Sequence, residues 1–266
     1  MTSYINLRKF DFMVQIVKKI LTQTNSPSFE SYLRYANKVY GLDIKINKSK
    51  RVRRITPRVC QFSGELRLTV PALIRVGAFS NFIEQHLDWI NLQKAKIIKQ
   101  IQISEGIKIP IFGLERIILS DSECWEDYSL TSEKLTVPTP IFQTRHKINF
   151  KDQVKNVLIQ LSNEFFNDVC QRDSAKLGVS FSKISYKDPK SRWGSCSSER
   201  KLMFSWRLIM APREVSAYVA AHEVAHLVHM NHSKSFWETV RFLCPDYMSH
   251  RLWLRYNGKM LHRFIF

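Results

Sequence analysis

Apolar residues recur along this chain at two spacings, and the spacing changes several times. Phe10, Met13, Val14, Val17 and Leu21 fall three and four apart, which predicts a basic amphipathic helix over 10–21. Gln23 to Ser28, polar and carrying Pro27, predicts a linker. From Leu42 the period shortens to two. Ile44 and Ile46, the segment Ile55 to Val59, and then Leu66, Leu68 and Val70 alternate with polar neighbours, and Gln61 to Glu65 supplies a turn. That pattern predicts a β-hairpin with one polar face. Residues 78–103 return to helical spacing through Phe79, Phe82, Ile83, Leu87, Ile90, Ile97 and Ile101. Ile109 to Leu119 predicts two strand segments around a turn at Phe112-Gly113, and Leu135 to Phe142 an extended stretch.

In the second half, Val154, Val157, Leu158, Leu161, Phe165, Phe166 and Val169 share one side of a helix of about 25 residues that begins near Asn149. Val179 to Ile184 and Leu202 to Ile209 predict strands, with a turn at Ser191 to Cys196 between them. Pro212 suits the first turn of a helix running to about Met230. A further helix over Ser235 to Cys244 and a last one carrying Trp253 and Leu254 follow. The sum is an α+β protein: a helical extension over 1–35, a β-rich part with a helix over 36–145, and a domain over 146–266 whose helix after Pro212 packs on a small sheet.

Composition narrows the class. In 266 residues, 44% hydrophobic and 24% charged content is that of a soluble globular protein. Against 23 Asp and Glu stand 41 Lys and Arg, a net charge of +18 that favours anionic partners unless it reflects a generally Lys-rich background. Lys48, Lys50, Arg51, Arg53 and Arg54 concentrate it beside the hairpin, either as a solvated face or as a site for a polyanion. The five cysteines are scattered and form no Cys-x-x-Cys pair, which predicts reduced thiols and a cytoplasmic protein. No stretch reaches transmembrane length, and Asp11, Gln15, Lys18 and Lys19 interrupt any signal-like apolar run.

Candidate chemistry lies in His222-Glu223-Val224-Ala225-His226. Four helical positions amount to about 40° of rotation and about 6 Å of rise, so both imidazoles can grip one metal ion. The Glu between them is then placed to take a proton from a metal-bound water. The competing reading is an amphipathic helix with two ordinary histidines. Tyr218, Val219, Leu227 and Val228 make the segment apolar, however, and a buried Glu there is costly without a metal to serve. A catalytic site needs a third protein ligand. His229 lies too far along a straight helix. His232 fits if the helix ends near 229–231 and the chain reverses at Asn231, a residue tolerant of left-handed backbone; Glu238 is the alternative. The spacing from His226 to His232 matches an extended zinc motif that has Gly where this chain has His229.

Taken together, Ser191-Arg192-Trp193-Gly194-Ser195-Cys196, Ala211-Pro212, the His-Glu-x-x-His segment, Asn231-His232-Ser233 and Phe236-Trp237 resemble the YgjP-like metallopeptidase family, related to the SprT-like and WLM zincins. Val70-Pro71 and Asp88-Trp89-Ile90 extend the resemblance over about residues 36–257. The resemblance implies a zincin-like C-terminal half, a zinc ion held by His222, His226 and His232, and Glu223 as general base. It implies a metallopeptidase, although some relatives are described as metal-dependent nucleoside triphosphate pyrophosphatases.

The expected activity is therefore zinc-dependent hydrolysis, of a peptide or protein substrate first. An edge strand beside the metal helix, Leu202 to Ile209 or Val179 to Ile184, would pair with the peptide. Nucleotide pyrophosphate hydrolysis is the alternative reaction, and a basic nucleic-acid-associated module the alternative of another class. Arg192 is the candidate for stabilising an oxyanion, or else a structural hydrogen-bond donor. Trp193, Trp206 and Trp237 read as core.

Overall fold

A computed structural model describes residues 29–122, 128–138 and 149–266. The predicted helix over 10–21, the linker after it, the boundary at 145/146 and the end of the stretch Leu135 to Phe142 lie outside those residues. The chain forms two compact units, Met1–Lys99 and Gln100–Phe266. The described residues are mixed α+β, with small sheets and seven α-helices.

In the first unit, helix α1 (Phe29–Tyr40) precedes strands β1 (Ile44–Ser49), β2 (Thr56–Val59) and β3 (Leu66–Pro71). The predicted hairpin is β2 with β3, paired antiparallel. Strand β1 joins the other side of β3 in parallel, giving the order β1-β3-β2. Leu66, Leu68 and Val70 are buried against Tyr32, Phe79 and Ile83. The opposite face carries a cross-strand row of cations, Lys45, Arg67 and Arg58, in register. Glu65 accepts hydrogen bonds from Lys45 and Arg67, which hold its carboxyl below the usual carboxylate range. The segment 78–103, expected as one helix, is broken. Helix α2 (Val76–Gln85) stops at His86, whose ring stacks on Phe82 and hydrogen-bonds its carbonyl through Nδ1 at 2.8 Å. Helix α3 (Leu87–Lys94) follows, and by Ile101 the chain is already strand.

The second unit holds three sheets: β5-β6-β8-β7, β10-β11-β9 and β12-β4. Strands β5 (Lys108–Ile111) and β6 (Leu114–Asp121) form the predicted hairpin. Its two central residues, Phe112 and Gly113, both have positive φ, +51° and +78°, the arrangement a tight two-residue hairpin needs. Strand β4 is Ile101–Gln102; β7 (Ser129–Leu130) and β8 (Lys134–Pro138) complete the four-stranded sheet. Helix α4 (Phe150–Lys176) starts as expected, capped by Asn149 accepting from the Asp152 N–H at 3.0 Å. Its apolar side buries Val154, Leu158, Phe166 and Cys170 completely, and Phe166 stacks on Phe204 at 4.3 Å.

Three boundaries differ from expectation here. Strand β9 is Lys183–Lys187, a few residues later than Val179 to Ile184, and the turn at Ser191 to Cys196 ends in a short edge strand, β10 (Gly194–Cys196). Strand β11 covers only Lys201–Ser205, after which Trp206–Met210 coil into a 3₁₀ helix. All five residues of that turn are buried, Arg207 included, and a run buried on every side does not announce its period. Ser162 Oγ donates to the Trp206 carbonyl and Ser216 Oγ to the Leu208 carbonyl, satisfying backbone the sheet no longer serves. Buried Arg207 grips Asp188 with two hydrogen bonds and donates to the Leu261 and Phe264 carbonyls, tying the turn to the C-terminal strand β12 (Phe264–Ile265).

Candidate metal centre

Helix α5 (Arg213–Ala225) carries the His-Glu-x-x-His segment. Its start is fixed from outside. Pro212 is the N-cap, and the Gly113 turn lies so close that a Cβ there would sit 3.1 Å from the Pro212 Cα. Its end comes four to five residues earlier than predicted, with His226 as the C-cap. The backbone closes through Leu227 N–H to Val224 and Val228 N–H to Ala225, and the His229 carbonyl turns back to accept from His226 Nδ1 at 3.0 Å. That bond assigns the proton to Nδ1 and leaves the lone pair on Nε2, the usual device for orienting a ligating imidazole.

The reversal does not use Asn231 as expected. Among the described residues only Phe112 and Arg200 are non-glycine residues with positive φ. Asn231 acts through its side chain, whose Oδ1 accepts from the Ser233 N–H at 3.3 Å, and Ser233 in turn caps helix α6 (Lys234–Leu243). A chain reversal without a left-handed residue explains why the position of the missing glycine can hold His229.

The early end of α5 brings His232 back onto His222 and His226. One ring nitrogen from each of the three lies within 4.8 Å of the other two, and the Nε2 atoms of His222 and His232 are 3.2 Å apart. Ligand nitrogens about 2.0–2.1 Å from a tetrahedral ion are themselves about 3.3 Å apart. Burial, reinforced by the neighbouring imidazoles, pushes His222 down to about 3, and burial lowers His226 as well. Both are therefore neutral, and converging lone pairs without protons to separate them suit a cation. Phe236 supports the group from beneath, its ring 4.5–4.9 Å from all three imidazoles. The Nδ1 of His222 is buried without a hydrogen-bond partner, so packing by Tyr218, Phe236 and Trp237 orients that ring. Glu238, the alternative third ligand, pairs with Lys234 at 3.7 Å and is not in the cluster.

Glu223 is 5% exposed, and burial pushes its carboxyl up to about 8 against the opposing charge of Arg192. It lies against the backbone of Gly194, where a Cβ would be 2.5 Å from Glu223 Oε1. Sequence reasoning saw Gly194 only as part of a turn. The signal was its place in Arg-Trp-Gly-Ser-Cys, but nothing local says that a carboxylate from a helix 29 positions away fills the absent side chain. Arg192 is exposed, and its contribution here is charge at Glu223. Of the three tryptophans read as core, Trp206 is fully buried, while Trp193 and Trp237 are half-buried.

The family model of the YgjP-like metallopeptidase domain matches residues 53–257, three-quarters of the chain. The chain belongs to the YgjP-like metallopeptidase family. A YgjP-like metallopeptidase domain implies a divalent metal, and the His222, His226 and His232 triad could hold one. Membership assigns the chain to the metal-dependent hydrolases of the peptidase type. Among solved structures, the metallopeptidase zymogen of Pyrococcus abyssi abylysin is similar at 21% identity over 35% of this chain and 93% of that one, with a TM-score of 0.32. A comparison with curated proteins gives no match. No helix among the described residues of the YgjP-like protein is long and apolar enough to cross a membrane.

Proposed function

We propose that this protein is a zincin-like zinc peptidase in which His222, His226 and His232 hold the ion and Glu223 is the general base. The carrying observation is the convergence of three imidazoles, two of them held neutral by burial, on the helix that bears a buried carboxylate. Three imidazole nitrogen donors with a fourth position left for water make the ligand set of a catalytic zinc site. Bound there, zinc supplies Lewis acidity, which lowers the pKa of water and polarises a carbonyl.

The remaining chemistry belongs to the chain. Glu223 takes the proton from the attacking water, and its raised affinity for that proton suits it to hold the proton until the leaving amine accepts it. The His229 carbonyl keeps His226 in one tautomer through the cycle. Arg192, whose charge is felt at Glu223, supplies positive potential for the oxyanion that forms as the carbonyl is attacked. Of the segments expected to pair with a peptide, Leu202 to Ile209 supplies the central strand β11. Strand β10 is an edge of the same sheet and packs beside α5, so an extended peptide can add to it.

The test pairs metal analysis with turnover. Purified protein binds about one zinc per chain, and His232→Ala loses most of it. Glu223→Gln keeps the zinc and loses peptide hydrolysis by about 100-fold or more. Full hydrolysis by Glu223→Gln would end the general-base assignment, and turnover of nucleoside triphosphates in place of peptides would end the peptidase reading.

A further inference from the structure

An open cleft of about 630 Å³ is lined by Trp193, Tyr218 and residues of the 248–255 segment. Its walls include Trp193 and Tyr218 on one side, and Met248, Leu252, Arg251 and Arg255 from helix α7 (Tyr247–Asn257) on the other. Two of its lining residues, Tyr218 and Trp193, adjoin the candidate metal centre. Tyr218 stands one turn before His222 with ring centroids 6.2 Å apart. Trp193 adjoins Gly194, the residue against which Glu223 packs, and is wedged from behind by Gly258, where a Cβ would be 2.9 Å from its ring.

The chemistry of the walls is one-sided. Met248 and Leu252 leave 52% and 45% of their surface exposed, an unsatisfied apolar lining rather than a finished core. Two guanidinium groups accompany them, one helical turn apart. The Arg251 guanidinium carbon sits 4.9 Å from the Trp237 ring centroid, and Trp237 is itself 5.7 Å from His222 and 5.8 Å from His232. Its charge reaches His222 and Tyr218. Among the described residues neither Arg251 nor Arg255 pairs with a carboxylate, and none of the residues lining the cleft is acidic. An arginine over an aromatic ring beside an apolar wall complements an anion carried on an apolar stem.

We propose that this cleft is the subsite next to the cleavage centre and that it takes a peptide carboxylate, held by Arg251 and Arg255 over the Trp193–Tyr218 wall. The inference rests on the peptidase reading above and names its substrate class. The carboxylate has two sources, an acidic side chain or a free C-terminus, and both present the same planar pair of oxygens.

The test uses the zinc-loaded full chain carrying Glu223→Gln and three peptides of one apolar sequence. The first has a Glu side chain and an amidated C-terminus, the second Gln and a free C-terminus, the third Gln and an amidated C-terminus. Titration followed by tryptophan fluorescence is expected to give at least about tenfold tighter binding for one or both carboxylate peptides than for the neutral one, the tighter of the two identifying the source. Arg251→Gln with Arg255→Gln, both exposed and so harmless to folding, removes that preference. Equal affinity for all three peptides, or a preference that survives the double substitution, overturns the proposal. Turnover by the enzyme with Glu223 intact separates the two claims. Cleavage without carboxylate preference overturns the subsite alone; arginine-dependent carboxylate binding without cleavage of any peptide upholds the cleft and overturns the peptidase reading.

Discussion

At the scale of single residues, the candidate site depends on what is missing from Gly194 as much as on what is present in Glu223. The carboxyl group occupies the volume a side chain would fill, with Oε1, Cγ and Cδ all within 2.9 Å of an ideal Cβ position. Substituting Gly194→Ala therefore forces either strand β10 or the carboxylate to move by several tenths of an ångström. The three imidazoles belong to other positions and keep their geometry. On the proposed roles, the expected outcome is full zinc content with kcat reduced by about 10- to 100-fold, because a misplaced general base would lose its alignment with the water. Zinc analysis and steady-state kinetics on the same preparation check this, and unchanged kcat would show that Glu223 has room to spare. The residue scale is also where the sequence was most and least legible. Spacing singles out His222 and His226 and puts His232 ahead of Glu238 as third partner, and the fold brings the three histidines together. The partners of Glu223 and His226 come from Gly194 and from a backbone carbonyl, and neither carries a chemical label in the sequence.

Among the elements, legibility follows how much each one depends on its own residues. Helix α4 is long, periodic and capped by its own Asn149, and its start and length are as predicted. The β5–β6 hairpin is set by Phe112-Gly113. Elements shaped by neighbours were misread: α2 and α3 part where His86 turns on Phe82, β11 ends where Trp206 is drawn into the core, and α5 stops where His226 bonds His229. Helix α1 is held by Tyr32 and Tyr35 against the sheet, an aromatic pattern whose spacing gave no prediction. The hairpin turn is where a local signal and a tertiary contact act together. Phe112 tolerates its strained φ because its N–H bonds the Ile209 carbonyl at 2.6 Å and its ring packs on Phe165 and under Arg213. Gly113 adds the approach to Pro212 that seats α5. Gly106 has nearly the same φ, +79°, but nothing within 4 Å of a Cβ. Gly106→Ala should thus cost about 1 kcal/mol for backbone strain alone, and Gly113→Ala about 2–3 kcal/mol because the Pro212 backbone must also give way. Urea denaturation of the two variants measures the difference. Equal losses would mean that the hairpin does not brace the start of the helix.

Across the whole molecule, two apolar cores serve two units. One gathers Tyr32, Leu66, Leu68, Val70, Phe79 and Ile83 within the first unit, and the other is built on α4, the 3₁₀ turn and α5 within the second. The imidazole triad lies wholly in the second. A ligand that binds only the folded state stabilises it by RT ln(1 + [L]/Kd), about 4 kcal/mol at a thousandfold excess over Kd. For a unit of the second one's size each kcal/mol moves Tm by about 2–4 °C, so saturating zinc should raise its transition by roughly 10 °C over the chelated protein. Calorimetry of the full chain with zinc and with chelator is the measurement. Two independent cores predict two transitions, of which only the one belonging to the second unit responds to the metal. His232→Ala should abolish the response while leaving the other transition where it was. A zinc-insensitive thermogram would remove the metal from the fold of the second unit. Zinc-dependent movement of both transitions in His232→Ala would trace the effect to sites other than the triad.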